Sequence, residues 1–253
     1  MFDQSPYECC LEWGERGARE AAERGDIVVI VDVLSFSSTV VTALHYGAVV
    51  YPHPKDDGLR AFADRHGADI IIGRAEAARA GNPTLSPVTF GPAHAGRRFV
   101  LCSLNGAVCA RIGSVAPALL VGCLLNASAA AREADRLRAA SGANVTVVAC
   151  GEKWEAPRPG ENGLRPAVED YLGAGAILSA LGGSRSPEAE VCVGAFRHAE
   201  ARIAPLVTDC GSGRELAGKG CADDVRHCAR LDVYATVPVL DRERFVVAAS
   251  RGR

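Results

Sequence analysis

Asp32 follows five consecutive apolar residues, Ile27–Val31, and is followed within seven positions by Ser35, Ser37, Ser38 and Thr39. An unbroken apolar, β-branched run of this length reads as a strand buried on both faces. Behind the hydroxyls, Val40, Val41 and Leu44 resume at helical spacing. A carboxylate therefore stands at the carboxyl end of a core strand, and a hydroxyl-rich turn feeds a helix N-terminus. Open α/β sheets bind their ligands at that edge. Free N–H groups at a positive dipole end favour an anion such as phosphate. An ordinary β–α turn with Asp32 or a serine as N-cap has the same pattern.

Two more polar clusters share this character. Ser103-Leu104-Asn105-Gly106 is a tight turn ahead of a helix, with a hydroxyl, a side-chain amide and backbone donors suited to an anion. A capped left-handed turn is written the same way. Glu169 and Asp170 open a later helix, where the dipole by itself favours acids. With Asp32 as a third oxygen donor they make a candidate magnesium set. Glu152, on the loop after a strand, is a candidate for positioning a water. A multiply charged anion also needs cations. Arg74, Lys153, Arg158 and Arg165 lie on or beside loops that follow strands, and Arg165 precedes Glu169 by four residues. A guanidinium holds a carboxylate or sulfonate with paired N–H bonds.

These residues need elements to carry them. Strand patterns at Tyr7–Trp13, Ile27–Val31, Ala48–Tyr51, Asp69–Ile72, Arg98–Leu101, Ala118–Gly122 and Asn144–Ala149 alternate with helical ones. Such alternation predicts a three-layer α/β/α fold with a largely parallel or mixed sheet. Pro187–Ala229 reads as mostly helical, with breaks at Pro205 and Cys210–Gly213, and Thr236–Leu240 with Arg244–Ala248 as a terminal hairpin. Ala80–His94 and Gly151–Ala167 are long Gly/Pro-rich loops of the kind tied to function. No linker composition interrupts the chain, so a single domain over residues 1–253 is expected. Four segments then meet at one end of the sheet: Asp32–Thr39, Gly81–Pro87, Ser103–Ala107 and Gly151–Asp170.

The net charge of −2 leaves no footprint for nucleic acid or an anionic membrane. No apolar run reaches the length of a membrane span. The first residues carry early acids and no cationic-then-apolar signal, which predicts a cytoplasmic protein. Ten cysteines include no C-x-x-C pair and sit mostly in apolar segments, as buried reduced thiols do. Cys221, His227 and Cys228 have poor spacing for tetrahedral zinc.

Familiar phosphatase signatures are missing. An aspartyl-phosphate loop would carry a second acid two residues after Asp32, where Leu34 stands. A cysteine phosphatase would carry arginine six residues after its thiol, where Cys102 has Val108 and Cys221 has His227. No G-x-S-x-G elbow, P-loop or H-E-x-x-H occurs.

What the chain resembles is the 2-phosphosulfolactate phosphatase family. The resemblance runs in order through VVIVDVLSFSST, LSP, SLNGA, VGCLLNASA, VVACGEKW, LRPAVEDYLGAGAI, GRELAGKGCADDV and VPVL. It implies a one-domain α/β fold and magnesium-dependent hydrolysis of a phosphate monoester, typically 2-phospho-3-sulfolactate. Asp32, Asn105, Gly106, Glu169 and Asp170 fall on family motif positions. Three departures stand out: Ser35 replaces the arginine common after Asp-Val-Leu, Gly81-Asn82-Pro83 replaces Gly-Asn-Ser-Pro, and Cys102-Ser103-Leu104 replaces a threonine-rich run.

The enzyme so expected holds Mg2+ with Asp32, Glu169 and Asp170. Ser37, Ser38, Ser103, Asn105 and Gly106 hold the phosphoryl oxygens, Arg165 holds a further acidic group, and Asp32 and Glu152 serve the chemistry. Its partners are a small phosphoester and, as a homodimer, a second copy of itself. The alternative, favoured by Ser35, is a binding protein that keeps the anion pocket without turnover.

Overall fold

The computed structural model describes residues 3–71 and 83–248, so Arg74, Gly81 and Asn82 lie outside the described residues. The strands are β1 (Cys9–Trp13), β2 (Ile27–Val31), β3 (Val49–Pro52), β4 (Asp69–Ile71), β5 (Arg98–Leu101), β6 (Leu119–Gly122), β7 (Val145–Ala149), β8 (Glu152–Lys153), β9 (Leu164–Arg165), β10 (Pro238–Asp241) and β11 (Arg244–Val247). Nine of them form one sheet in the order β1-β7-β2-β6-β10-β11-β3-β5-β4, and β8 and β9 form a separate ribbon. The group β1, β7, β2 and β6 is parallel, as is β3, β5 and β4. The antiparallel β10–β11 hairpin is wedged between the groups, touching β6 through Val239–Leu120 and β3 through Phe245–Val50.

The helices are α1 (Gly14–Arg24), α2 (Phe36–His45), α3 (Leu59–His66), α4 (Gly106–Gly113), α5 (Ala127–Ser141), α6 (Val168–Ala180), α7 (Pro187–Ala199), α8 (Ile203–Asp209), α9 (Gly211–Gly218) and α10 (Ala222–Cys228). Together they make the mixed three-layer α/β/α fold that the alternating pattern predicts. β2 is flanked by β7 and β6, and all five of its side chains are buried, which is why its sequence shows no polar alternation. Burying each such side chain contributes roughly 1.5–3 kcal/mol.

One segment differs from expectation. Residues 151–167, expected as a loop, contain the β8–β9 ribbon, where the Trp154 N–H donates to the Gly163 carbonyl at 2.8 Å. Strands of two residues leave no period to read. The terminal hairpin is present as expected, but local alternation says only that two strands pair, not which gap in the sheet receives them.

All ten thiols are free, with Cys210 and Cys221 half-buried and the other eight buried. Among the described residues no helix is long and apolar enough to cross a membrane.

Candidate active site

Asp32 leaves the end of β2 only 6% exposed. Its Oδ1 accepts the Phe36 N–H at 3.1 Å and its Oδ2 the Gly106 N–H at 2.9 Å. One carboxylate thereby ties the start of α2 to the start of α4. Position 106 must be glycine for this approach, because a Cβ there would overlap the Phe36 ring and lie 2.7 Å from Oδ2. Burial pushes the Asp32 carboxyl up to about 6. The two amides favour its anion, and the charge of Glu169 opposes it.

Three further acids surround it. Glu169 and Asp170 are buried on the first turn of α6. Asp170 Oδ1 accepts the Val33 N–H at 2.7 Å and its Oδ2 the Gly151 N–H at 2.8 Å, which knits the chain leaving β2 to the chain leaving β7. Burial, then the charges of Asp32 and Glu169, hold its carboxyl well above the ordinary range. Glu169 Oε2 accepts the Cys210 thiol at 3.3 Å. Glu152 opens the ribbon, and its Oε2 accepts from Asn105 Nδ2 at 2.9 Å. Burial, with Asp32 and Glu169 adding repulsion, pushes Glu152 up to about 7.

Above these acids lies a cleft of about 970 Å3, lined among others by Asp32, Ser35, Ser103, Asn105, Glu152 and Arg165. Arg165 stands directly opposite Glu152 in the ribbon, so one cross-strand pair delivers an acid and a cation to the same cleft. Its Cζ lies 5.5 Å from the Trp154 ring centre, and its Nη1 reaches Ser212 Oγ at 3.4 Å. The guanidinium also rests on the first residue of α9, where a Cβ at Gly211 would overlap Nη2.

The structure thus brings Asp32, Ser103, Asn105, Glu152 and Arg165 together at the cleft, with Lys153 beside them. Ser37 and Ser38, expected to hold phosphoryl oxygens, stand elsewhere. Both are fully buried: Ser37 Oγ accepts the Asp32 N–H and donates to the Ile30 carbonyl, and Ser38 Oγ donates to the Val33 carbonyl. These hydroxyls fasten the strand–helix turn. The Gly106 amide, expected to face phosphate, is given to Asp32. Ser103 Oγ accepts the Ala107 N–H at 2.8 Å at the start of α4. Glu169 and Asp170 are not among the cleft-lining residues, and both Asp170 oxygens already accept backbone N–H groups. Gly211, Ser212 and Lys219, on and just after α9, line the cleft without having been expected there. Their only sequence signal is the GRELAGKG string, which begins within this stretch.

Among the described residues no group of three or more His, Cys, Asp or Glu side chains is arranged to hold a metal ion. Asp32, Glu169 and Asp170 are therefore not an assembled ligand triad. Magnesium needs less than that, since it keeps several waters and is held through one or two carboxylates plus a substrate phosphate. Asp32 and Glu152 supply hard oxygen donors at the cleft wall, and the charges that act most strongly on each are those of other acids. This donor set fits a divalent cation.

The family model for 2-phosphosulpholactate phosphatase matches residues 14–243. A 2-phosphosulfolactate phosphatase of Methanothermobacter thermautotrophicus is 29% identical over 220 residues, covering 87% of this chain and 89% of its own. A probable 2-phosphosulfolactate phosphatase of Synechococcus sp. (strain CC9605) is 30% identical over 232 residues, covering 85% and 89%. Another, of Gloeobacter violaceus, is 29% identical over 227 residues, covering 84% and 87%. Because the matched span takes in every residue of the cleft, the fold, the buried acids and the relatives agree, and the chain belongs to the 2-phosphosulfolactate phosphatase family.

Proposed function

We propose that this chain hydrolyses 2-phospho-3-sulfolactate, or a closely related small acidic phosphate monoester, to the alcohol and inorganic phosphate, with Mg2+ as cofactor. The observation that carries this reading is one cleft, in a member of this family, that brings Asp32 and Glu152 together with Arg165.

Asp32 and Glu152 would hold the magnesium ion, which when bound neutralises phosphate charge and polarises the phosphoryl group. The protein's own residues set the rest. Asp32 is fixed by two backbone amides, so its carboxylate needs no reorganisation when charge develops nearby. Glu152, at the cleft wall beside Asp32, would accept the proton of the attacking water. Asn105 orients that carboxyl through its amide. In-line attack of the water on phosphorus breaks the P–O ester bond, and the departing oxygen leaves as the alcohol after taking up a proton. Arg165, held between Trp154 and the first turn of α9, would bind the carboxylate or sulfonate of the leaving group.

The test is release of inorganic phosphate from 2-phospho-3-sulfolactate and a panel of phosphate monoesters, with magnesium and with excess chelator. Release that needs magnesium and favours multiply charged esters is expected. Equal release in chelator would overturn the metal assignment. Ser35, at the cleft wall where the family commonly has arginine, favours a second reading as a non-catalytic binder. Tight binding of the ester with no phosphate released would select it.

A further inference from the structure

Cys210 stands at the corner between α8 and α9, where its backbone N–H donates to the Leu206 carbonyl at 3.0 Å. Its Sγ accepts the Gly213 N–H at 3.3 Å and so caps the first turn of α9. The thiol in turn donates to Glu169 Oε2 at 3.3 Å, with the Val207 carbonyl a second acceptor at 3.2 Å. Burial, then the charge of Glu169, pushes this thiol up to about 11, so it carries the proton that the bond to the carboxylate needs. Glu169 is 2% exposed, and Cys210 is its only side-chain hydrogen-bond partner among the described residues.

The corner is tight. A Cβ at Gly213 would overlap the Val207 carbonyl, and one at Gly211 would overlap Arg165 Nη2. The first turn of α9 cannot shift without moving the Ser212 hydroxyl that Arg165 Nη1 reaches at 3.4 Å. Arg165 and Glu169 lie four residues apart in one segment, and the corner touches both, which closes a ring of contacts through Cys210.

We propose that Cys210 is a positioning residue for the arginine of the cleft: its thiol fastens the first turn of α9 to Glu169 on α6 and thereby fixes the surface on which the Arg165 guanidinium rests. This role rests on Arg165 binding the acidic part of the substrate, and it predicts an effect on that part alone.

Calorimetric titration of the full, magnesium-loaded chain tests it with two probes, 3-sulfolactate, which carries the carboxylate and sulfonate without phosphate, and inorganic phosphate. Cys210→Ala should weaken 3-sulfolactate by about three- to tenfold and leave phosphate unchanged. Cys210→Val, which keeps a similar volume but makes neither bond, carries the same expectation should the alanine variant not fold. Cys210→Ser keeps a donor and an acceptor and should restore wild-type affinity. In an Arg165→Ala background Cys210→Ala should cost nothing further, because the two act as one unit. In steady state the loss should appear in KM for 2-phospho-3-sulfolactate with kcat unchanged. A serine variant as weak as the alanine one, an equal loss for phosphate, or a loss that adds in full to that of Arg165→Ala would overturn the proposal. A wild type that releases phosphate from monoesters without binding 3-sulfolactate would overturn it and leave the phosphatase reading. The expected binding pattern in a chain that hydrolyses no monoester would keep this role and remove the phosphatase reading.

Discussion

Glu152→Gln should make the metal-free protein more stable at pH 8 while disabling it. The Glu152 carboxyl sits half-buried against Asp32 and Glu169, and its pKa rises from an ordinary 4.5 to about 7 in the folded chain. A folded-state pKa above the unfolded one means that the group's contribution is fully present below about pH 4.5 and is lost as pH rises through 7. At pH 8 the unfolded chain ionises freely, whereas the folded one must place a third negative charge beside two others. The full shift corresponds to about 3 kcal/mol, and screening by water in the open cleft reduces this to roughly 1.5–2 kcal/mol. Glutamine removes the charge and keeps an acceptor oxygen for Asn105 Nδ2, now bonded at 2.9 Å. For a domain of this size each kcal/mol moves Tm by about 2–4 °C. Thermal melts in chelator should therefore show Glu152→Gln about 3–8 °C above wild type at pH 8, with the two coinciding below about pH 4.5. Magnesium should narrow the gap at pH 8 by stabilising the wild type more. A variant that melts with or below wild type at pH 8 would refute the view that Glu152 is held under strain by its neighbours.

Other perturbations separate the roles of the remaining groups. Asp32→Asn should abolish phosphate release yet shift Tm by only a few degrees, because relief of a buried charge offsets the loss of one amide acceptor, about 1–3 kcal/mol. Gly106→Ala should destabilise by roughly 1–3 kcal/mol and lower activity, since the new methyl meets the Phe36 ring and Asp32 together. Arg165→Ala should weaken multiply charged phosphoesters about ten- to a hundredfold more than a singly substituted, near-neutral monoester, and Gly211→Ala should reproduce part of that loss by displacing the guanidinium. An equal loss on both substrates would assign Arg165 to the phosphate or to the fold. Thiol reagents should modify Cys221 first in the native protein and Cys210 slowly, burial having pushed its thiol up to about 11, with the other eight reacting only on unfolding.

The parts of this site that were legible in the sequence are those that local chemistry dictates. β2 could be read because a strand flanked on both edges is apolar throughout, and Asp32 because the first carboxylate after such a run falls at the sheet's carboxyl edge. The serines beside it misled for a definite reason. The first nine residues of α2 are all buried, so no polar face marks which hydroxyls meet a ligand and which meet backbone carbonyls. Ser37 and Ser38 did the second, as buried hydroxyls near a helix start often do.

The cationic side of the cleft was harder to see because no local pattern builds it. Arg165 faces Glu152 only because a two-residue ribbon puts them in register across a long excursion of chain, and strands that short have no period. Ser212 lies in the Cys210–Gly213 stretch read in the sequence as a break, Lys219 in the helical region after it, and both reach the cleft from α9 and the residue that follows it. Acids at strand ends are placed by the sheet, which local alternation reveals. Arg165 and Ser212 are placed by contacts between segments distant in the chain. The acid after β2 can therefore be read locally, while the position of Arg165 depends on a distant segment and on the absence of a side chain at Gly211.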